Sequence, residues 1–189
     1  MLSSRQHQPI AIGAALIGLM AATRFHHFGS GSYLPDASLA VFLLSGFYLR
    51  SPWMLLVLLG EAALADYLTI EGGTSSFCVT AAYAFLLPTY AAMWLGGRIY
   101  RRVHTWSWQT VLPLAVITAA STVIAFAISN GSFYVLSGYF PNPSWSEYAA
   151  GFAKYLPPYL VSTCTYIALA AVVHAAMHAG VSRFGAAPR

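Results

Sequence analysis

Residues 110–129, TVLPLAVITAASTVIAFAIS, contain no charged side chain. This run is long enough to cross the hydrocarbon core of a bilayer, which takes about 20 residues. Similar apolar runs, separated by polar or Gly/Pro-rich breaks, give six candidate spans at 9–25, 34–49, 52–70, 77–97, 110–129 and 155–178. Only the second is clearly short for a crossing. The pattern predicts an all-α polytopic membrane protein with six transmembrane helices in a single domain, 1–189.

The composition supports a lipid environment. Hydrophobic residues make up 58% of the chain and charged residues 7%, against about 25% charged in ordinary soluble domains. No run of Lys and Arg interleaved with aromatic residues indicates a nucleic-acid partner. The single lysine, Lys154, is not part of a phosphate-binding Gly-x-x-x-x-Gly-Lys loop, so ATP-driven transport would require a separate ATPase.

The basic residues predict the orientation. Cytoplasmic loops of membrane proteins carry an excess of Lys and Arg. With the N-terminus inside, only Arg24 and Lys154 lie outside. The remaining basic residues then all lie inside: Arg5, Arg50, Arg98, Arg101, Arg102, Arg183 and Arg189. The expected topology is therefore N-in/C-in, in a bacterial inner membrane.

Small residues recur along the first span, at Ala11, Ala14, Ala15, Gly18 and Ala22. Such residues allow two helix backbones to approach closely in lipid. They favour a docking face for another membrane subunit, although Ala and Gly are also common in membrane helices generally.

Polar side chains that could bind a ligand converge on the outer side. The first external loop and the start of the second span supply Arg24, His26, His27 and Asp36. The segment after the third span supplies Asp66, Glu71, Thr74, Ser75, Ser76 and Cys78, followed by Tyr83. Cys and His are donors for soft or borderline transition metals. A structural zinc site needs about four such ligands at regular spacing, so a metal bound here should arrive already held by another molecule. The alternative is that Cys78 only packs as a small apolar residue.

An external connection over residues 130–154 is expected to carry an aromatic cluster. Its seven aromatic residues are Phe133, Tyr134, Tyr139, Phe140, Trp145, Tyr148 and Phe152. They predict either a belt at the membrane interface or a lid over a bulky ligand, with the lid favoured.

Four further residues within the spans are notable. Glu61, near the middle of the third span, should be protonated, paired or next to a wet cavity. His174 and His178 share a helix face and could grip a metal, but the more ordinary interpretation is a pair of interfacial polar residues. Cys164 is expected to pack within its helix bundle, too deep for a disulfide with Cys78.

Residues 24–29, RFHHFG, and the stretch from Ala65 and Asp66 through Gly72, Gly73, Ser76, Phe77 and Cys78 to Tyr83 resemble a known family. The chain is similar to the substrate-binding S-components of energy-coupling-factor (ECF) transporters, and most of all to the BtuM group of cobalamin (vitamin B12) transporters. The six-helix layout matches along the whole chain, and the specific motifs lie in its first half.

The resemblance implies that Cys78 binds the corrin cobalt as an axial ligand from the periplasmic side. His26, His27, Asp66, Ser76 and Tyr83 are the candidate ligand-binding residues, and the aromatic segment would close over the corrin. It also implies a coupling subunit with its ATPases on the small-residue face of the first helix. No intrinsic cofactor is expected, because cobalamin is the transported ligand.

A thiolate on cobalt should displace a weaker axial group, which makes Cys78 the candidate catalytic residue for decyanation of cyanocobalamin. Two other functions remain open. One is an S-component for a different vitamin, with Cys78 only packing. The other is a haem- or metal-handling membrane enzyme that uses His26, His27, His174 and His178.

Overall fold

The computed structural model describes the backbone of residues 4–24, 34–49, 51–73 and 75–185, and within these ranges the side chains other than those of 4–7, 78 and 180–185. This part of the chain is helical and contains no strand. Its α-helices are α1 (Ser4–Arg24), α2 (Ser38–Tyr48), α3 (Trp53–Glu71), α4 (Leu86–Val103), α5 (Val111–Leu136) and α6 (Trp145–Gly185). Short 3-10 turns lie at Ser76–Cys78, Ala81–Phe85 and Trp108–Thr110.

Three helical segments are long and apolar enough to cross a membrane: Trp53–Glu71, Trp108–Leu136 and Trp145–Ala179. They confirm the all-α prediction and indicate a membrane protein. The apolar parts of α1 and α2 are shorter. By contrast, α6 has 41 residues, which at 1.5 Å per residue is about 60 Å, roughly twice the hydrocarbon thickness.

The second predicted span, 34–49, is wrong in extent, because α2 has only 11 residues. That is about 16 Å of helix, roughly half of the hydrocarbon core. Most of α2 is buried inside the bundle, including Val41, Phe42 and Leu43, each at most 1% exposed. A short apolar helix of this length is typical of a protein core. The other helices cover it, so α2 does not need to match the lipid thickness.

Close helix contacts hold α2 in place. A Cβ atom on Gly46 would overlap the backbone carbonyl of Trp94 on α4, and one on Gly97 would overlap the backbone carbonyl of Leu43 on α2. On the other face of α4, a Cβ atom on Gly96 would overlap the side chain of Ser121 on α5. Glycine at these three positions therefore lets α2 and α4 pack backbone against backbone, and lets the Ser121 side chain of α5 pack against the α4 backbone.

The predicted span 77–97 is not one continuous helix. The chain makes two 3-10 turns before α4 begins at Leu86, and α4 then continues to Val103. The hydroxyl of Ser75 accepts a hydrogen bond from the Phe77 amide, and that of Thr80 accepts one from the Ala82 amide. These side-chain bonds stabilise turns in competition with helix. Tyr83 therefore precedes α4.

The sequence predicts a connection over residues 130–154, and the length of this connection is also wrong. Helix α5 continues to Leu136 and α6 begins at Trp145, which leaves a connection of only 137–144. Apolar and aromatic side chains do not terminate a helix when lipid or protein covers them, so both helices extend into this segment. Five of the seven aromatic residues consequently lie on the two helix ends.

The helices alternate in direction, so their termini form two ends of the bundle. We call one the polar end: it contains Arg24 at the end of α1, Asp36 before α2, Asp66 in the last turns of α3 and Tyr83 before α4. The other, the aromatic end, contains Tyr48 at the end of α2, Tyr100 near the end of α4, Trp106 before α5 and His174 in the second half of α6.

A candidate ligand site at the polar end

An arginine fork dominates the polar end. Arg24 and Asp66 are both buried, at 7% and 6% exposure. Arg24 Nε donates to Asp66 Oδ1 at 2.8 Å, and Arg24 Nη2 donates to Asp66 Oδ2 at 2.7 Å. This two-point geometry is the strongest form of carboxylate pairing. It joins the last turn of α1 to the last turns of α3.

Further hydrogen bonds extend the fork to α2 and α4. Arg24 Nη1 donates to the Ser38 hydroxyl at 3.0 Å and to the Tyr90 hydroxyl at 2.6 Å. The Tyr83 hydroxyl donates to Asp66 Oδ2 at 2.9 Å. A buried charge is tolerated when its polar atoms are satisfied in this way. One guanidinium thus connects four helices.

A second carboxylate lies at the edge of this network. Asp36 Oδ2 is 3.9 Å from Arg24 Nη1, and Asp36 Oδ1 accepts hydrogen bonds from the Ser38 amide and hydroxyl. Among the described residues, the network therefore combines one guanidinium with two carboxylates. Carboxylate oxygens suit a ligand with hydrogen-bond donors, such as amide groups.

The network forms one wall of the polar cavity, which has a volume of about 270 Å³. Its opposite wall is mainly apolar and comes from α5 and α6, with Phe126, Phe133 and Tyr159. Ser129 and Asn130 on α5 add polar groups between the two walls. A largely apolar cavity with a few convergent polar groups is the usual form of a small-molecule site.

Three aromatic rings, which we call the aromatic cap, lie at the edge of this cavity. The ring of Phe77 stacks on Tyr139, with centroids 4.2 Å apart, and lies 5.5 Å from Phe133. Phe77 and Phe133 also line the cavity. The cap therefore joins the Ser76–Cys78 turn to the end of α5 and to the 137–144 connection.

The structure brings together only some of the predicted site residues. Asp66 and Tyr83 both line the polar cavity and bond to each other. Ser76 is exposed in the Ser76–Cys78 turn and is not one of the described residues lining the cavity. The backbone of Cys78 belongs to the same turn, while its side chain lies outside the described part of the structure. His26 and His27 are also outside the described residues.

The predicted histidine pair on α6 packs against a tryptophan. The ring of Trp106 stacks on His178 at 3.6 Å and on His174 at 4.7 Å between centroids. Among the described residues, no group of three or more His, Cys, Asp or Glu side chains could hold a metal ion. The interfacial interpretation of this pair fits that arrangement.

Two other predictions concern residues away from the site. Cys164 is exposed, so its expected packing role is wrong, because its side chain faces outward from α6. Both carboxylate oxygens of Glu61 are buried, and Glu61 lines neither the polar cavity nor the cavity at the aromatic end.

Sequence reasoning missed the pairing of Arg24 with Asp66. Both residues were candidates, but in separate external segments and without a relation to each other. A usable signal exists: in a chain with 7% charged residues, opposite charges at the same end of a helix bundle should pair rather than remain apart. Tyr90, Ser129 and Asn130 were also missed, and no pattern in the sequence distinguishes them.

Comparison with known proteins does not assign the chain to a family. No protein-family model matches it, and none of the curated proteins matches it.

Proposed function

We propose that this protein takes up cobalamin across the bacterial inner membrane and binds it at the polar end, on the periplasmic side. The observation that carries the proposal is the proximity of two features. Phe77 belongs to the turn that contains Cys78, and it lines the same cavity as Asp66 and Tyr83. The turn that contains the proposed cobalt ligand therefore borders a polar surface suited to the amide groups of a corrinoid.

The topology of the proposal is six membrane helices with both termini in the cytoplasm. Arg98 and Arg101 lie near the end of α4, towards the aromatic end, whereas Arg24 at the polar end is neutralised by Asp66. Among the described residues, the aromatic end therefore carries the larger number of basic side chains, as expected of a cytoplasmic face. The short α2 is included as a helix within the bundle.

The size of the cavity adds a requirement. Cobalamin, a macrocycle with several amide side chains, is larger than about 270 Å³, so the aromatic cap must separate from the cavity during binding. Rings held only by stacking can part at modest cost, because each pair contributes about 0.5–1.5 kcal/mol beyond its burial.

The proposed chemistry at cobalt is a ligand exchange without oxidation or reduction. The Cys78 thiol loses a proton, its sulfur forms a bond to cobalt, and the bond from cobalt to cyanide breaks. Cyanide leaves with its electron pair and takes up a proton as hydrogen cyanide. A deprotonated thiol is the form that binds metals, and one axial ligand suffices because the corrin already supplies four nitrogens.

The small-residue face of α1 supports the proposed coupling subunit. Ala11, Ala14, Ala15, Gly18 and Ala22 are all exposed. A Cβ atom on Gly18 would meet no described atom within 4 Å. Such a face allows close approach of another membrane helix, and an ATPase bound to that subunit would supply the energy.

Absorbance spectroscopy tests the cobalt ligand. Purified protein in detergent is mixed with cyanocobalamin, and the corrin bands and released cyanide are measured. Wild type and Cys164→Ser should both shift the bands and release cyanide, because Cys164 is exposed and does not line the cavity. Cys78→Ser should do neither. An unchanged spectrum for wild type, or the same shift in Cys78→Ser, would contradict the proposal.

One observation favours a second function, that of an S-component for a smaller vitamin. The polar cavity at about 270 Å³ is close to the lower end of the roughly 300–1,000 Å³ typical of small-molecule sites. A smaller ligand would fit with less movement of the aromatic cap. Rescue of cobalamin-dependent growth separates the two functions. If wild type rescues growth and Cys78→Ser does not, cobalamin is the ligand. Equal rescue by both would favour a role for Cys78 in packing alone.

A further inference from the structure

A second cavity, which we call the aromatic cavity, lies at the opposite end of α2 from the polar cavity. Its volume is about 340 Å³, within the roughly 300–1,000 Å³ of small-molecule sites. The second half of α2, the end of α4, the 104–110 connection, the start of α5 and the second half of α6 surround it. None of its described lining residues is Asp, Glu, Lys or Arg, so it suits a neutral ligand.

Flat rings form much of its wall. Trp106 lies nearly parallel to His174, with an angle of 13° between ring planes. The ring of His104 is 5.7 Å from that of His174 and 5.2 Å from that of Phe47. Aromatic walls favour a flat ring as ligand, because rings gain both area and quadrupole interactions when they stack or meet edge to face.

One polar atom in this wall lacks a partner. His104 Nε2 is buried and makes no hydrogen bond to any described residue. The other ring nitrogen, Nδ1, is 3.0 Å from the Tyr100 hydroxyl. The Tyr100 hydroxyl is 3.5 Å from its other acceptor, the Thr110 carbonyl. The Tyr100 hydroxyl has one proton to donate, either to Nδ1 or to the Thr110 carbonyl. When it donates to Nδ1, the imidazole proton is on Nε2 as a free donor.

The charge state of His104 agrees with a neutral ligand. Burial lowers the pKa of His104, because taking the ring out of water disfavours the imidazolium form. In that tautomer the buried Nε2–H of the neutral ring has no acceptor, which costs free energy. A carbonyl oxygen of a ligand that accepts this hydrogen bond would remove the cost.

Two exposed tryptophans lie beside the cavity. Trp108 is 82% exposed and Trp106 is 56% exposed beside the cavity, at the start of the Trp108–Leu136 segment that is long enough to cross a bilayer. Exposed tryptophans at such positions are typical of the membrane interface. A ligand dissolved in the bilayer would meet the cavity at that level.

We propose that the aromatic cavity binds a neutral, flat, lipid-soluble quinone, with His104 Nε2–H donating a hydrogen bond to one of its ring carbonyls. This site is separate from the polar cavity and does not depend on the function proposed there.

The test compares two probes of almost the same shape. Menadione, a methylated naphthoquinone, carries two ring carbonyls, and 2-methylnaphthalene carries none. Equilibrium dialysis with the full-length protein in lipid nanodiscs, corrected for uptake by empty nanodiscs, measures saturable binding. We expect one menadione per protein, bound about tenfold more tightly than 2-methylnaphthalene. Equal affinity for the two probes, or no saturable binding of menadione, would overturn the proposal.

Variants then assign the site. His104→Phe should bring the affinity for menadione down to that for 2-methylnaphthalene, since the ring shape remains while the donor is lost. Ala171→Phe should abolish binding of both probes by filling the cavity. Val172→Phe is the matched control, because Val172 is the adjacent α6 residue and faces outward at 67% exposure. Wild-type affinity in Ala171→Phe would place any menadione elsewhere and contradict the proposal.

Discussion

The polar and aromatic ends of the bundle are built from the same helices but stabilised by different interactions. At the polar end, Arg24 joins four helices through charged hydrogen bonds to Asp66 and its neighbours. At the aromatic end, neutral rings stacked around Trp106 join neighbouring segments instead. The charged interactions are strong and specific, whereas the ring contacts are individually weak and tolerate rearrangement.

The difference shows how a chain with few charges uses them. Only five acidic residues occur in the sequence, and Asp36 and Asp66 both belong to the Arg24 network. Concentrating charges in one satisfied network limits the desolvation penalty, because each charge compensates another. The aromatic cavity remains free of charged lining residues in the described structure, so the two ends suit ligands of different polarity.

The largest expected effect comes from breaking the arginine fork. Arg24→Met should lower the free energy of unfolding by about 3–5 kcal/mol, since it leaves Asp66 as a buried charge without its partner. Tyr100→Phe, the matched change at the aromatic end, should cost only about 0.5–1.5 kcal/mol. Thermal unfolding in detergent measures both.

A double variant isolates the pair itself. Arg24→Met combined with Asp66→Leu should recover part of the loss, because no unpaired charge remains. If Arg24→Met costs no more than Tyr100→Phe, the proposed contrast between the two ends fails.

The next effect tests the close backbone contact between α2 and α4, two helices that both ends share. Gly97→Ala would place a methyl group against the backbone of Leu43, and overpacking of this kind costs about 1–3 kcal/mol. Gly60→Ala on α3 is the control, because nothing lies within 4 Å of the added atom and alanine favours helix. Unfolding should be easier in the first variant only, and ligand binding at both ends should weaken together. Equal stability of the two variants would contradict this.

A smaller effect is confined to the polar end. Tyr83→Phe removes the hydrogen bond to Asp66, at a cost of about 1 kcal/mol, because water can partly replace a half-buried phenol. Cobalamin affinity, measured by titration of the corrin absorbance, should fall about fivefold. Menadione affinity should stay the same, and a parallel loss of both would mean that the ends are not independent.

The smallest effect is the response of the aromatic end to pH. Burial lowers the pKa of His104, so the unfolded chain takes up a proton near pH 6.5 before the folded protein does. Stability is therefore complete above about pH 6.5 and declines as the pH falls below it. Thermal unfolding between about pH 7.5 and 5.5 should show a slope that is reduced in His104→Phe. An unchanged slope would exclude His104 as its source.

Hydropathy predicted the helical class and the fifth helix well, because a charge-free run of this length has few alternatives. It identified the second span as short, but it predicted neither the burial of α2 nor the late start of α4. Hydropathy records that a segment is apolar, but not whether lipid or protein covers it. The turns before α4 depend on the hydroxyls of Ser75 and Thr80, whose local bonds compete with a helix that the apolar pattern alone favours.

The candidate site was predictable in its parts but not in their arrangement. Asp66 and Tyr83 were identified as site residues from the sequence, and the structure places them in one cavity. Their bond to each other and the fork with Arg24 are tertiary relations between residues 17 and 42 positions apart in the chain. Spacing rules reach only neighbouring turns of one helix, so such a pairing requires the fold.

The close contacts at Gly46, Gly96 and Gly97 also have a mechanical consequence. Because α2 and α4 meet backbone against backbone, and Ser121 of α5 packs directly on Gly96 of α4, the three helices cannot slide or separate without losing their packing, and they form a rigid slab. The glycine contact of α6 is looser, because a Cβ atom on Gly131 of α5 would lie 3.3 Å from the hydroxyl at the end of the Tyr148 side chain. Tyr159 of α6 lines the polar cavity and His174 lines the aromatic one. A tilt of α6 against the slab would therefore change the width of both cavities in a single movement.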